Sequence, residues 1–523
     1  MLRVAFLPEA RGVYSCHFRK NGLRFVSFSV EQYSSNFNKL IQIYRIFFVM
    51  CATILKQLQA KHPKITYRKF ALVREADSLT LSFDFSLSPD LHFSPTITIP
   101  TSTLQKFDPI TERLAFLIGM VELISYWKLA CPPRIEIECG HLTHEEIEWW
   151  KDLYRKGLGE FFYVNEINPL LEFDFFVRPD LTASPIDYRK ERSEGVLILV
   201  GGGKDSIVTL EAAKSWVDRP KAALCVNPIK ASLDAIKQSG LGQPLTVQRF
   251  LDPQLKTLNQ IGYLNGHTPF SALLAFISLL VAHQNGFKYV LASNETSASE
   301  GNAFIDDVEV NHQYSKSLHF EKRFREYPFG FPAPAEYLSF LRPLNELQIC
   351  AIFALHKEHL PLFRSCNREQ TQVARAKESP EETTPGAPRS GWCGSCPKCI
   401  FTAICLGCFL SMKEMREIFG NSPFESPNFS ATARELAGFS EHKPFECVGT
   451  FEEVRSALVY LGTKAENFEP GSVLFGCPND EVKGEVPSLK SLLTRWDEKN
   501  YLTSWMEESL LSRLQSAVAG FLP

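Results

Sequence analysis

Hydrophobic residues alternate with polar ones over residues 79–87 (LTLSFDFSL) and 96–99 (TITI), the two-residue period of half-buried strands, with Pro89 and Pro95 punctuating between them. Beyond Asp108 and Pro109 the period lengthens. Leu114, Leu117, Ile118, Val121, Leu123 and Ile124 recur mostly three or four residues apart, which predicts a helix capped by Asp108, opened by Pro109 and finished before Pro132 and Pro133. A short strand at 135–137 and a helix at 143–158 with an acidic first turn complete a region of mixed α+β character over residues 1–185.

From about Gly195 the texture changes. Residues 196–200 (VLILV), 222–226 (AALCV) and 289–292 (YVLA) are unbroken apolar runs, the pattern of strands buried on both faces, and 247–251 is a weaker example. Helical segments at 207–217 and 270–282 lie between them, the second stopped by Asn285 and Gly286. Strands alternating with helices predict an α/β fold with a doubly wound, mainly parallel sheet over residues 186–420. Residues 371–390, rich in Glu, Thr and Pro, predict a flexible insertion there. Residues 421–523, with helical patterns at 451–461 and 489–514, predict a small helical C-terminal region.

Composition narrows the function. The 523 residues are 45% hydrophobic and 22% charged, which suits a globular protein with at least one large core. With 56 Lys+Arg against 59 Asp+Glu there is no basic excess, and this argues against nucleic acid as a partner. The best membrane candidate, residues 46–55, offers about ten apolar residues where roughly twenty are needed to span. Residues 1–36 lack the apolar core of a signal peptide, so the expectation is a cytoplasmic protein whose 14 cysteines are thiols rather than disulfides.

The most specific motif is Gly201-Gly202-Gly203-Lys204-Asp205-Ser206, placed between a buried strand and a helix. Glycines let main-chain N–H groups crowd around an oxyanion, and the helix N-terminus adds its positive dipole end. Lys204 supplies charge, Ser206 a hydroxyl, and Asp205 either a helix cap or a ligand for magnesium. The plainer reading is a capped strand-to-helix turn. Asn227, just after the second strand, is expected near the same edge of the sheet, where open α/β sheets bind ligands.

Polar stretches follow at 293–302 (SNETSASEGN) and 310–317 (VNHQYSKS), and a substrate and catalytic loop is expected there, with Gly266-His267-Thr268-Pro269 approaching it. Cys366, Cys393, Cys396 and Cys399 have spacings that close a tetrahedral zinc site. A redox pair, or a thiol working as acid and base beside Lys398, is the other use open to them. Cys405 and Cys408, in an apolar stretch, read as core.

The glycine loop resembles the PP-loop of the ATP pyrophosphatase superfamily, Ser-Gly-Gly-x-Asp-Ser, with Gly201 in place of the serine. Together with 293–302, 311–317, Ser365-Cys366-Asn367 and 392–399, it resembles the UDP-N-acetyl-α-D-muramoyl-L-alanyl-L-glutamate epimerase family of peptidoglycan synthesis. Residues 121–128 (VELISYWK) and 157–163 (GLGEFFY) support the same resemblance over about 65–460.

The resemblance implies a sheet of the adenine nucleotide α-hydrolase type, with ATP held by Gly201, Gly202, Gly203, Lys204, Asp205, Ser206 and Asn227. It also implies magnesium, and a UDP-N-acetylmuramoyl dipeptide whose terminal L-glutamate becomes D-glutamate through an acyl-adenylate. A partner ligase that joins L-glutamate to the muramoyl-L-alanine precursor is implied too. Lys204 and Asp205 are then catalytic, and Glu300, His312, Tyr314, Lys316, Cys366 and Cys393 are the candidates for moving the α-proton. Two rivals stand: a PP-loop nucleoside- or tRNA-modifying enzyme, and a catalytically silent nucleotide-binding regulator.

Overall fold

The structure is a computed structural model that describes residues 5–9, 13–20, 23–30, 54–101, 107–178, 193–305, 307–329, 333–366, 391–440, 443–464 and 486–521. The 371–390 insertion and Asn367 lie outside the described residues, as does most of 46–55. Among the described residues no helix is long and apolar enough to cross a membrane.

Three strands, β1 (Ala5–Glu9), β2 (Val13–Lys20) and β3 (Leu23–Val30), form a small antiparallel sheet. The remaining core is organised on one large mixed sheet. Its strands from the first region are β4 (Lys64–Arg74), β5 (Ser78–Leu87), β6 (Leu91–Phe93), β7 (Thr96–Pro100), β8 (Arg134–Ile137) and β9 (Asp174–Val177). Those from the second are β10 (Ser193–Leu199), β11 (Lys221–Val226), β12 (Leu245–Phe250), β13 (Phe287–Ala292) and β16 (Glu336–Ser339), while β14 (Ala303–Ile305) and β15 (Val308–Val310) make a separate hairpin.

The order is β16-β13-β10-β11-β12-β7-β5-β4-β8-β9, with β6 on β5. The first five strands run parallel to one another. The seam is antiparallel, Gln248 opposite Thr98 and Phe250 opposite Thr96, so the two regions share a single sheet.

Burial follows the two strand patterns. On β5, Leu79, Leu81, Phe83, Phe85 and Leu87 are buried and their neighbours are half-exposed. On β10, Leu197 and Leu199 enter the core formed with the Pro109–Glu122 and Phe270–Asn285 helices, whereas Val196 and Ile198 enter a second core with the Lys204–Ala213, Glu346–Ala354 and Pro397–Gly407 helices. Helices therefore cover both faces of the parallel strands, which is why those runs are apolar throughout. Asp108 accepts from the Thr111 N–H, and Gly286 closes the 270–285 helix in the left-handed conformation.

Two helix expectations shift. The one expected at 207–217 runs over Lys204–Ala213, because the turn itself supplies its first residues. The pattern at 489–514 is divided between Leu489–Leu493 and Ser504–Phe521.

Candidate functional site

The glycine loop leaves the carboxyl end of β10 and turns into the Lys204–Ala213 helix, with Gly203 at the N-cap. Gly202 has φ +89°, and a Cβ there would lie 2.6 Å from the Ser232 backbone nitrogen, so both conformation and space require glycine. Gly201 differs: a Cβ built on it meets nothing within 4 Å. The Ser206 hydroxyl accepts from the Gly202 N–H (3.3 Å) and donates to the Gly203 carbonyl (2.9 Å), holding the turn closed.

Lys204 is buried and its ammonium bridges Asp205 and Glu346, the latter at 2.5 Å. Burial opposes that charge, but Asp205 and Glu346 outweigh it and hold the lysine well above its ordinary pKa. Glu346 is pushed well above the usual carboxylate value, first by burial and then by Asp205 and Glu295, against the pull of Lys204. Burial and Asp205 likewise raise Glu295. Two carboxyl groups from two segments thus pair with one ammonium while Glu295 from a third feels both, and Asp205 is the most exposed of the three.

The polar stretches follow β13 and approach the same edge. Buried Arg342 organises them: it pairs with Glu321 (3.0 Å) and donates to the Glu295 carbonyl and to the Lys316 carbonyl (2.6 Å). Asn302 ties the next layer, accepting from the His312 N–H (2.8 Å) and donating to the Pro444 carbonyl (2.8 Å). Glu300 pairs with Lys443 (2.9 Å) and accepts from the Phe451 N–H, so it anchors the 443–451 segment. Thr143, Asn345 and Thr450 cap their helices with reciprocal side-chain bonds, and this fixes where those helices begin.

That segment carries a group the sequence did not single out. Cys447 is partly exposed, and its sulfur accepts from the Lys316 ammonium at 3.3 Å. Burial alone would raise this thiol, but Lys316, Lys398 and a hydrogen bond from His312 overcome it and hold the pKa well below the ordinary cysteine value. Lys316 is raised in turn, chiefly by Cys447. The second ring nitrogen of His312 is accounted for as well: Nδ1 meets Glu160 at 2.5 Å. Burial lowers this imidazole, yet Cys447 and Glu160 lift it to about 9.

His267 packs against His312 with the rings tilted by 52° and their centroids 4.5 Å apart. Burial, with His312 and Lys128 behind it, drops its pKa to about 3, so it is neutral. Lys128 fixes the loop before it, donating to the Gly266 carbonyl and to Thr268 (2.7 Å). The 121–128 and 157–163 motifs therefore bring Lys128 and Glu160 to this corner. No local spacing marks Cys447; only the chance pairing of its segment with Asn302 and Gln313 reveals it.

Cys366, Cys393, Cys396 and Cys399 converge, with all four sulfurs within 4.8 Å of one another. Sulfur separations are 3.9 Å (366–396), 3.7 Å (393–399) and 3.4 Å (396–399). Four thiolates about 2.3 Å from a zinc ion sit roughly 3.8 Å apart, so the donor set fits a tetrahedral metal. The chain leading into Cys366 lies on the glycine loop, where the Arg364 N–H donates to the Gly202 carbonyl (3.0 Å) and Ser365 flanks Gly203.

The other expected residues have different surroundings. Asn227 has φ 45° and, just past the end of β11, bonds both ways with the backbone of Arg249 in β12. The Tyr314 hydroxyl is engaged by Asp152 (3.1 Å) and His319 (3.2 Å). Cys366 and Cys393 belong to the four-thiol cluster, and Cys405 and Cys408 are core.

The sequence matches two protein families: MurL N-terminal domain over residues 56–335 and MurL C-terminal domain over residues 362–475. Three relatives carry the name UDP-N-acetyl-alpha-D-muramoyl-L-alanyl-L-glutamate epimerase. The protein from Xanthomonas oryzae pv. oryzae is 32% identical over 78% of this chain and 88% of its own length. That from Salinispora tropica is 34% identical over 73% and 82%, and that from a Micromonospora strain 33% over 72% and 83%. No solved structure matches the chain.

Proposed function

The chain belongs to the UDP-N-acetyl-alpha-D-muramoyl-L-alanyl-L-glutamate epimerase family, and from that membership we propose that it inverts the terminal glutamate of a UDP-N-acetylmuramoyl dipeptide, with ATP and magnesium, through an acyl-adenylate. The observation that carries the reading is the convergence at one sheet edge of the glycine-rich turn, Gly201–Ser206, with a sulfur and imidazole corner at Cys447 and His312. Lys316 joins the two, because it answers to Asp205 and Glu295 on one side and to Cys447 on the other.

The chemistry explains the nucleotide. A proton on the carbon beside a carboxylate resists removal, because the carbanion left behind would carry two negative charges. Once the carboxylate is joined to AMP its carbonyl is neutral, and the same proton becomes far more acidic. The backbone of the glycine loop and Lys204 would bind the phosphates. Asp205, the most exposed of the three carboxylates, would hold magnesium, which would supply charge to shield the phosphates. Inversion at Cα and hydrolysis of the adenylate then release the D-glutamyl product and AMP.

The cysteine cluster would hold a structural zinc that keeps residues 364–366 against Gly202. A ligase that adds L-glutamate to the UDP-linked precursor must supply the substrate. The UDP-linked substrate and the free thiols both suit the cytoplasm.

The test is proton exchange. With UDP-N-acetylmuramoyl-L-alanyl-L-glutamate, magnesium and ATP in deuterated water, Cα deuteration, D-glutamate and AMP are expected together, and only with ATP. A folded, ATP-binding protein that gives neither deuterium nor AMP would refute the assignment and point to a nucleoside substrate.

A further inference from the structure

We infer that the sulfur of Cys447, with the Lys316 ammonium and the His312 imidazole set against it, is a group that takes the α-proton from the activated glutamate. The inference rests on the epimerase reading above and names a residue for a step that reading leaves unassigned.

The geometry carries it. Lys316 Nζ stands 3.3 Å from the sulfur, on a turn fixed by Arg342 through the Lys316 carbonyl. His312 presents its other face to Glu160 at 2.5 Å, so a carboxylate supports the imidazolium that in turn supports the sulfur. Lys398, in the first turn of the Pro397–Gly407 helix that carries Cys399, adds its positive charge to the surroundings of the sulfur, and neutral His267 packs beside His312. Against one sulfur the titratable surroundings are thus three cations, Lys316, Lys398 and His312, with Glu160 one step removed. The three cations hold this thiol well below the ordinary cysteine value, which favours the thiolate, and Cys447 is partly exposed.

The expected proton-moving residues divide accordingly. Tyr314 is held by Asp152, Glu300 by Lys443, and Cys366 and Cys393 by their own cluster. Lys316 and His312 remain at the corner, as the partners that keep the sulfur charged.

The step closes in atoms and charge. The thiolate takes the α-proton: the Cα–H bond breaks, an S–H bond forms, and the electron pair enters the enolate of the acyl-adenylate. Water adds a proton on the opposite face, and the hydroxide left behind recovers the proton from sulfur, restoring the thiolate. A base placed in this way typically contributes about 10²–10⁴-fold in rate.

Cys447→Ala and Cys447→Ser are compared with the unmodified protein in two assays: substrate-dependent exchange of pyrophosphate into ATP, and Cα deuteration. Exchange of pyrophosphate within a few-fold of the unmodified protein, with deuteration down at least a hundredfold, is the expected result, and the retained exchange shows the variants are folded. Deuteration within about threefold of the unmodified protein overturns the inference. If the unmodified protein itself exchanges no pyrophosphate, the adenylation reading fails first and the proton-transfer role falls with it. An ultraviolet difference spectrum at neutral pH, unmodified minus Cys447→Ala, is expected to show one thiolate that Lys316→Met diminishes. Absence of that thiolate overturns the inference without any substrate.

Discussion

The two poles of the site are built in opposite ways. The glycine pole is six consecutive residues, its donors are backbone, and its charge is one ammonium among three carboxyl groups, Asp205, Glu295 and Glu346. The sulfur pole is assembled from residues 160, 312, 316, 398 and 447, its reactive atom is a side chain, and its surroundings are cationic. The carboxyl-rich pole suits magnesium and phosphate; the cationic pole suits an ionised sulfur and a substrate that turns anionic at Cα. On the function proposed above, placing them side by side would let one site activate a carboxylate and then abstract the neighbouring proton.

The strongest way to break this division is to deprive the cysteine cluster of the zinc it is proposed to hold. Structural zinc sites bind with about 10 kcal/mol or more, and that binding energy is folding energy. Chelation, or Cys396→Ala, is expected to lower the melting temperature and abolish both pyrophosphate exchange and deuteration, because residues 364–366 leave the glycine loop and Lys398 leaves the sulfur. Zinc content by mass spectrometry against activity checks it; a metal-free protein with full activity would detach the cluster from both poles.

Gly202→Ala strikes the glycine pole alone. A left-handed non-glycine residue costs about 1–3 kcal/mol, before its Cβ is fitted against the Ser232 nitrogen. Pyrophosphate exchange is expected to fall at least a hundredfold, while the thiolate spectrum of Cys447 stays.

A pH profile separates the poles more gently. His312 has its folded pKa raised to about 9 from an ordinary 6.5, so its contribution to stability is complete below about 6.5 and is lost as pH rises through about 9. Deuteration is expected to decline above about pH 9, with a shallower change in pyrophosphate exchange. His312→Gln should remove that limb. The profile answers to the groups facing the sulfur together, which are Lys316, Lys398, His312 and, through it, Glu160 and His267.

The smallest effect is expected at Gly201→Ser. With no atom within 4 Å of a Cβ there, the side chain can start without displacing anything. ATP affinity is expected to stay level or tighten a few-fold in a binding titration, and a large loss would show that the loop needs glycine there too.

What the sequence disclosed follows the same division. The β10 strand, its turn and its helix are contiguous, so apolar run, glycines and helix stand in order on the page, and CxxC spacing likewise exposed the four-thiol cluster. Cys447 follows Phe445 and Glu446 with no companion thiol, and its meaning depends on Lys316, 131 residues away. Glu346 heads a helix that reads as plain core until Lys204 is seen against it. The seam between β12 and β7 escaped for the same reason: each strand pattern is local, but pairing between them is not. The helical pattern over 489–514 runs on across the break between its two helices, because periodicity survives a break that only tertiary packing imposes.

That seam bears on how the molecule can be divided. A fragment ending at residue 335, the limit of the first matched family, stops one residue before β16 and leaves the β13 backbone as an unpaired edge. A cut between residues 178 and 193 strips β7 from β12 and opens an edge on each piece. Exposed edges of this kind pair with other chains, so halves made separately would trade strands or aggregate instead of folding as miniature versions of the whole.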